Sequence, residues 1–262
     1  MRKATRPQRS LVIASAGAAG AIVLLVLLVT SRGGTDRHPT CRNTLIPAYV
    51  LPPAIVDAVQ GPVRARLIVV NPHNGPGAEE HSQYREAVRA AQRAGARVLG
   101  YVPTSYGARP AADVEADIAR YASWYGVHDI FLDEASSAAA QLPYYEALAR
   151  RIRSGAKHLV VLNPGAVPAR AYFDLADVVV TFEGPYSTYA GALDRMPEWV
   201  RHEPADRIAH LVYGASRDQA LTAVRASDGA GYLYLTSGTP PDPWRTLPSY
   251  LLEEEQELAA CS

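Results

Sequence analysis

The sequence predicts an α/β protein: a single (β/α)8 TIM-type barrel over residues 44–262, preceded by an N-terminal transmembrane or signal segment at residues 1–31 and a short tether at 32–43. Three observations predict it. Eight strand-like runs alternate with helix-like segments at intervals of roughly 20 to 32 residues, the rhythm of parallel strands joined by helical crossovers. Polar, Gly- and Pro-rich stretches follow the runs, where a barrel builds its active-site face. An open doubly wound sheet is the alternative, but it usually brings a Gly-rich phosphate turn after an early strand, and neither G-x-G-x-x-G nor a Walker sequence occurs.

At the start of the chain, Arg2, Lys3, Arg6 and Arg9 precede an uncharged stretch from Ser10 to Ser31 that contains the apolar run Ala21–Val29. Its length is near the ~20 residues that cross a bilayer, and no clear Ala-x-Ala site follows, which favours a retained anchor over a cleaved signal. The basic flank would keep the N-terminus in the cytoplasm and place the remainder outside. Residues 32–43 have no apolar period and read as a tether to the membrane.

The strand-like runs are Thr44–Val50, Arg66–Pro72, Arg97–Val102, Asp129–Glu134, His158–Pro164, Val178–Glu183, Arg207–Gly214 and Gly231–Ser237. Between them, Tyr84, Ala87, Val88 and Ala91 fit an amphipathic helix, as do Val114, Ile118, Tyr121, Ala122 and Tyr125, and then Tyr145, Leu148, Ala149 and Ile152. Gly95 and Gly155 sit where left-handed caps would end the first and third of these. Ser216-Arg-Asp-Gln219 has the form of a capping box opening the seventh helix.

Two runs end in acid. Asp129-Ile-Phe-Leu closes on Asp133 and Glu134, and Val178-Val-Val-Thr-Phe closes on Glu183. A carboxylate taken out of water costs several kcal/mol unless it is paired, so acids ending buried strands point either to arginine-paired caps or to chemistry. Paired carboxylates on one rim are what hydrolysis of a glycosidic bond needs. Strict alternation puts Thr181 and Glu183 on one face and Phe182 on the other, and it sends Asp133 and Glu134 to opposite sides.

Fifteen tyrosines stand against three phenylalanines, and an aromatic face with a hydroxyl suits sugar stacking. Tyr121, Tyr125, Tyr144 and Tyr145 fall on helices and read as packing. Tyr101, Tyr106, Tyr186 and Tyr213 follow strands and are the binding candidates, with Asn71, Arg109 and Asn163 on the same rim. His73, His128 and His210 show no metal-ligand spacing, so no metal or cofactor is expected. Ser105 and Ser237 lack the nucleophile elbow G-x-S-x-G.

The formal net charge of zero conceals an uneven distribution: residues 1–37 hold 6 basic residues and 1 acid, which leaves 20 basic against 25 acidic residues afterwards, a net −5. An acidic domain of this kind excludes nucleic acid and anionic lipid as favoured partners and accepts a neutral or cationic polymer. The two cysteines, Cys41 and Cys261, flank the barrel; in an exported protein a disulfide joining them is expected, the alternative being two free thiols.

Asn71-Pro72 with Gly75-Pro76-Gly77, Leu99–Val102 with Thr104, Tyr106-Gly107 and Arg109, Trp124–Val127, Ile130–Glu134, Asn163-Pro164-Gly165 and Phe182-Glu183 together resemble the spherulation-specific (spherulin-four-like) family, related to the endo-acting polygalactosaminidases. The resemblance runs from about Leu45 to Leu258. It implies a metal-independent (β/α)8 glycoside hydrolase that cuts inside α-1,4-linked galactosamine or N-acetylgalactosamine polymers. It also implies a retaining mechanism with Asp133 as nucleophile, Glu183 as acid/base and Glu134 orienting a hydroxyl or amino group. The chain departs from the family pattern at His128-Asp129, which bears on the local loop shape. A non-catalytic polysaccharide-binding envelope barrel is the competing reading, and a monomer is expected in either case.

Overall fold

The computed structural model describes residues 42–59, 67–226 and 229–260. The chain divides into a unit of residues 1–37, wholly outside the described residues, and a unit of residues 38–262 that holds the barrel. The apolar N-terminal segment, the tether up to Cys41, and Cys261 therefore all lie outside the described residues. No helix among the described residues is long and apolar enough to cross a membrane.

Eight parallel strands close into a ring in sequence order: β1 (Asn43–Ala48), β2 (Leu67–Val70), β3 (Arg97–Pro103), β4 (Asp129–Asp133), β5 (Val160–Leu162), β6 (Val178–Pro185), β7 (Ile208–Tyr213) and β8 (Tyr232–Leu235). Each falls within or against a run expected from the sequence. The helices are α1 (Pro52–Ala58), α2 (Ser82–Arg93), α3 (Ala111–Arg120), α4 (Leu142–Ile152), α5 (Tyr172–Leu175), α6 (Tyr186–Asp194), α7 (Glu198–Arg201), α8 (Arg217–Ala226) and α9 (Leu251–Ala259).

The helices form where periodicity and capping agree. In α2, Ala87, Val88 and Ala91 are buried and Gly95 follows at φ 90°; after α4, Gly155 takes φ 96°. The capping box at α8 is reciprocal: the Ser216 N–H donates to Gln219 Oε1 at 2.9 Å and the Gln219 N–H to Ser216 Oγ at 3.4 Å. The second amphipathic run is not one α-helix. It ends as α3 at Arg120, and Tyr121–Tyr125 form a wider π-type turn closed by Gly126 at φ 66°. That turn drops Tyr121 onto β3, where a side chain at Gly100 would collide with its ring.

Strict alternation along β6 fails. The ladder with β7 shifts register between Val180 and Phe182, leaving Thr181 as the extra residue of a bulge. Thr181 Oγ1 and the Phe182 ring both meet buried His210, at 3.0 Å and at 6.3 Å between ring centroids, so two successive side chains share a neighbour. His210 is neutral, its pKa lowered to about 4 by burial, and its other nitrogen meets the Tyr189 hydroxyl at 2.9 Å.

The seam that closes the barrel is short. β1 and β8 pair only at Asn43 with Tyr232 and Thr44 with Leu233. Past that point α9 takes over: the Leu235 N–H donates to Glu254 Oε1 at 2.8 Å, and Thr44 Oγ1 donates to Glu255 Oε1 at 3.4 Å. Burial, helped by the neighbouring Glu255 charge and opposed by the Leu235 N–H, raises the Glu254 pKa well above the usual carboxylate value.

Candidate active site

The C-terminal ends of the strands surround a cleft of about 560 Å³. Its walls include Tyr49 after β1, Asn71 to Asn74 after β2, Tyr101 on β3, Asp133 on β4, Glu183 on β6, Tyr213 on β7 and the segment Pro240–Trp244 after β8.

At its floor Asn163, just past β5, joins the two acids. Its Nδ2 gives one N–H to Asp133 Oδ1 at 2.7 Å and the other to Glu183 Oε2 at 2.5 Å. The amide is oriented by the Gly165 N–H, which donates to Asn163 Oδ1 at 3.0 Å. Backbone bonds fix the residue itself: its N–H donates to the Leu132 carbonyl and its own carbonyl accepts from the Ala135 N–H, each at 2.9 Å. The two bridged oxygens therefore cannot be farther apart than two hydrogen bonds laid end to end, about 5 Å, against about 5–5.5 Å between carboxyl groups in retaining glycosidases.

The two acids differ electrostatically. Burial pushes the Glu183 pKa up to about 7, helped by the Asp133 charge and opposed by hydrogen bonds from the Asn163 amide and the Trp244 indole. Burial also raises Asp133, but the Tyr101 hydroxyl, the Glu134 N–H and the Asn163 amide all donate to it and favour its ionised form. One carboxyl is poised to keep a proton near neutrality. The other is surrounded by donors.

The end of β4 is held from beneath. Thr104 Oγ1 lies 2.9 Å from the carbonyls of both Asp133 and Glu134, and 2.9 Å from the hydroxyl of Tyr145, which in turn accepts the Ser136 N–H at 2.8 Å. Glu134 is not on the strand: it takes φ 48°, so the expected opposition of the Asp133 and Glu134 side chains across a sheet does not apply. The turn after β3 is also left-handed, with Ser105 at φ 47°, Tyr106 at 56° and Gly107 at 86°. Non-glycine residues held in this region cost on the order of 1–3 kcal/mol each and persist only where their surroundings impose the conformation. Here the Tyr106 N–H donates to the Glu134 carbonyl at 2.7 Å.

Residues 44–256 match the spherulation-specific family 4. The chain belongs to that family. It is 32% identical over 234 residues to Spherulin-4 of Physarum polycephalum, covering 82% of this chain and 70% of that one. Among solved structures it is similar to Aspergillus clavatus Sph3, crystallised in complex with GalNAc, with a TM-score of 0.73, 27% identity, and coverage of 84% of this chain and 98% of that one.

Within this family member, Asp133, Glu183, Asn71, Tyr101 and Tyr213 lie on the cleft wall, and Asn163 lies beneath it between the acids. The other four expected residues lie off the wall. Arg109 is tied to Asp117 Oδ2 at 2.5 Å and to the Pro103 carbonyl at 3.0 Å, which holds its guanidinium between the end of β3 and α3. Tyr186 opens α6, Tyr106 projects outward, and the Glu134 side chain sits outside the cleft. The departure at His128-Asp129 falls at the opposite end of β4, where Asp129 accepts from Arg97 and from the Leu159 N–H, so it does not shape the cleft.

Tyr49 and Trp244 were not expected. Tyr49 stands edge-on to Tyr101 at 5.2 Å between centroids. Trp244 is carried by the loop after β8, anchored by the Gly214 N–H donating to the Gly238 carbonyl at 2.8 Å. Gly238 is required there because any side chain would run into the Pro243 carbonyl. The signal was Trp244 itself, a lone tryptophan in the proline-rich stretch that follows the eighth run.

Proposed function

We propose that this barrel is a glycoside hydrolase cutting internal α-1,4 linkages of galactosamine- or N-acetylgalactosamine-containing polysaccharide, with Asp133 as nucleophile and Glu183 as acid/base. The observation that carries the reading is the acid pair bridged by one amide on the floor of an aromatic-walled cleft, one member held protonated to about pH 7. The GalNAc complex of Aspergillus clavatus Sph3 supports the sugar class.

In the first step an Asp133 oxygen attacks the anomeric carbon as the glycosidic C–O bond breaks, and the Glu183 proton passes to the departing oxygen. In the second, Glu183, now a carboxylate, takes a proton from water. The resulting hydroxide oxygen displaces Asp133, restoring both groups. Asn163 is a positioning residue that holds the pair at working separation, and the Tyr101 and Trp244 donors favour the ionised forms of Asp133 and Glu183 respectively.

Incubation of the protein with galactosamine-containing polymers and with unrelated polysaccharides tests the reading. Release of oligosaccharides from the former alone is expected; binding without release would favour a polysaccharide-binding barrel. The same reading puts the barrel outside the cytoplasm behind the apolar N-terminal segment. A mature protein starting near Arg32 would identify that segment as a cleaved signal.

A further inference from the structure

Tyr106 is 64% exposed, and no ring or hydrogen-bond partner holds its side chain among the described residues. Its backbone, by contrast, is fixed. The strained turn is fastened to Glu134 through the Tyr106 N–H, closed on itself by the Gly107 N–H to the Thr104 carbonyl at 3.0 Å, and braced by the Gln141 side chain packed against Gly107. A glycine at 106 would adopt the same backbone without strain. The fold thus holds a mostly exposed aromatic ring on a backbone conformation that glycine adopts more easily.

Its place in the ring suggests a use for it. The cleft wall is drawn from Tyr101 on β3, Tyr213 on β7 and the loops after β1, β2 and β8, whereas Tyr106 stands in the turn beyond β3 and its backbone is joined to the residue after Asp133. In the eight-strand ring β7 and β8 stand across the mouth from β3 and β4, so the Tyr213 and Trp244 wall and the Tyr106 turn lie on opposite sides of the opening that holds the acid pair. We propose that the Tyr106 ring is the stacking platform of an outlying sugar subsite, so that a polysaccharide crosses the acid pair from the Trp244 wall to the turn after β3. This rests on the hydrolase reading and adds the course of the chain across the rim. An aromatic face on a rigid turn binds a sugar ring with little ordering cost.

The test compares wild type, Tyr106→Ala and Tyr106→Trp on galactosamine-containing polymer and on a short oligosaccharide of the same sugar. The expected result is that the ratio of kcat/KM on polymer to kcat/KM on oligosaccharide falls about tenfold in Tyr106→Ala and recovers in Tyr106→Trp. An unchanged ratio, or a ratio that Tyr106→Trp fails to restore, overturns the subsite while leaving the hydrolase reading intact. If the wild type cleaves neither substrate the hydrolase reading fails, and polymer affinity then decides: equal binding by wild type and Tyr106→Ala overturns the platform as well.

Discussion

The amide of Asn163 donates to Glu183 Oε2 at 2.5 Å, a bond that both fixes the acid's position and pulls its pKa down. Replacing Asn163 by Ala should lower kcat/KM by about 100-fold or more through lost positioning, and should move the alkaline limb of the activity profile upward. Trp244→Phe should shift that limb the same way, since it removes the second donor to Glu183. Profiles that stay in place in both variants would discard this account of the pair.

Because Glu183 must carry its proton to act as the acid, activity should fall as pH rises through about 7. Asp133→Asn and Glu183→Gln should each reduce turnover by about 1,000-fold or more with circular dichroism unchanged. Near wild-type depolymerisation by both variants would remove the two acids from the mechanism.

The same group affects stability in a direction opposite to that of most acids. Its folded pKa of about 7 lies above the ordinary value of 4.5, so between those values the folded state holds a proton that the unfolded state has lost. Stability contributed by this group therefore declines as pH rises across that window and is constant above it, by at most about 3 kcal/mol. Melting temperatures of wild type and Glu183→Gln, taken from pH 4.5 to 8, should diverge in favour of the variant. Parallel curves would contradict the shift.

Tyr145→Phe should destabilise the barrel by about 1–3 kcal/mol in urea titrations, because the buried Ser136 N–H loses its acceptor and Thr104 loses a partner under the Glu134 turn. A loss below about 0.5 kcal/mol would mean that the turn is held without this hydroxyl.

The Arg42 N–H donates to the Leu258 carbonyl of α9 at 3.1 Å. Cys41 and Cys261 lie outside the described residues; from their places in the sequence they are expected to form a disulfide if the protein is exported, worth about 5 kcal/mol in the chain-entropy model. Mass spectrometry of a non-reduced digest checks it; alkylation of both thiols without prior reduction would exclude the bond.

The barrel was legible because each buried strand is a short run of branched apolar residues bounded by turn residues, a local property of the sequence. Asp133 and Glu183 stood out for the same reason, as charges ending apolar runs. The bridge between them did not, since it depends on which way one amide points after three strands have paired. Arg109 looked available in the sequence, but its partner Asp117 lies two turns of chain ahead, and the pairing appears only when α3 folds back on the turn. Trp244 was obscured by the absence of any period in Pro240–Pro243, and Thr181 by a bulge that depends on the β7 partner.

The seam between β1 and β8 sets an order of assembly. Seven neighbouring strand pairs can form as the chain lengthens, but the eighth joint pairs Asn43 with Tyr232 and Thr44 with Leu233 across 189 residues, and loop closure of that span comes late. Before that joint forms, the edges of β1 and β8 are both unpaired, and an unpaired strand edge is where a second chain can attach.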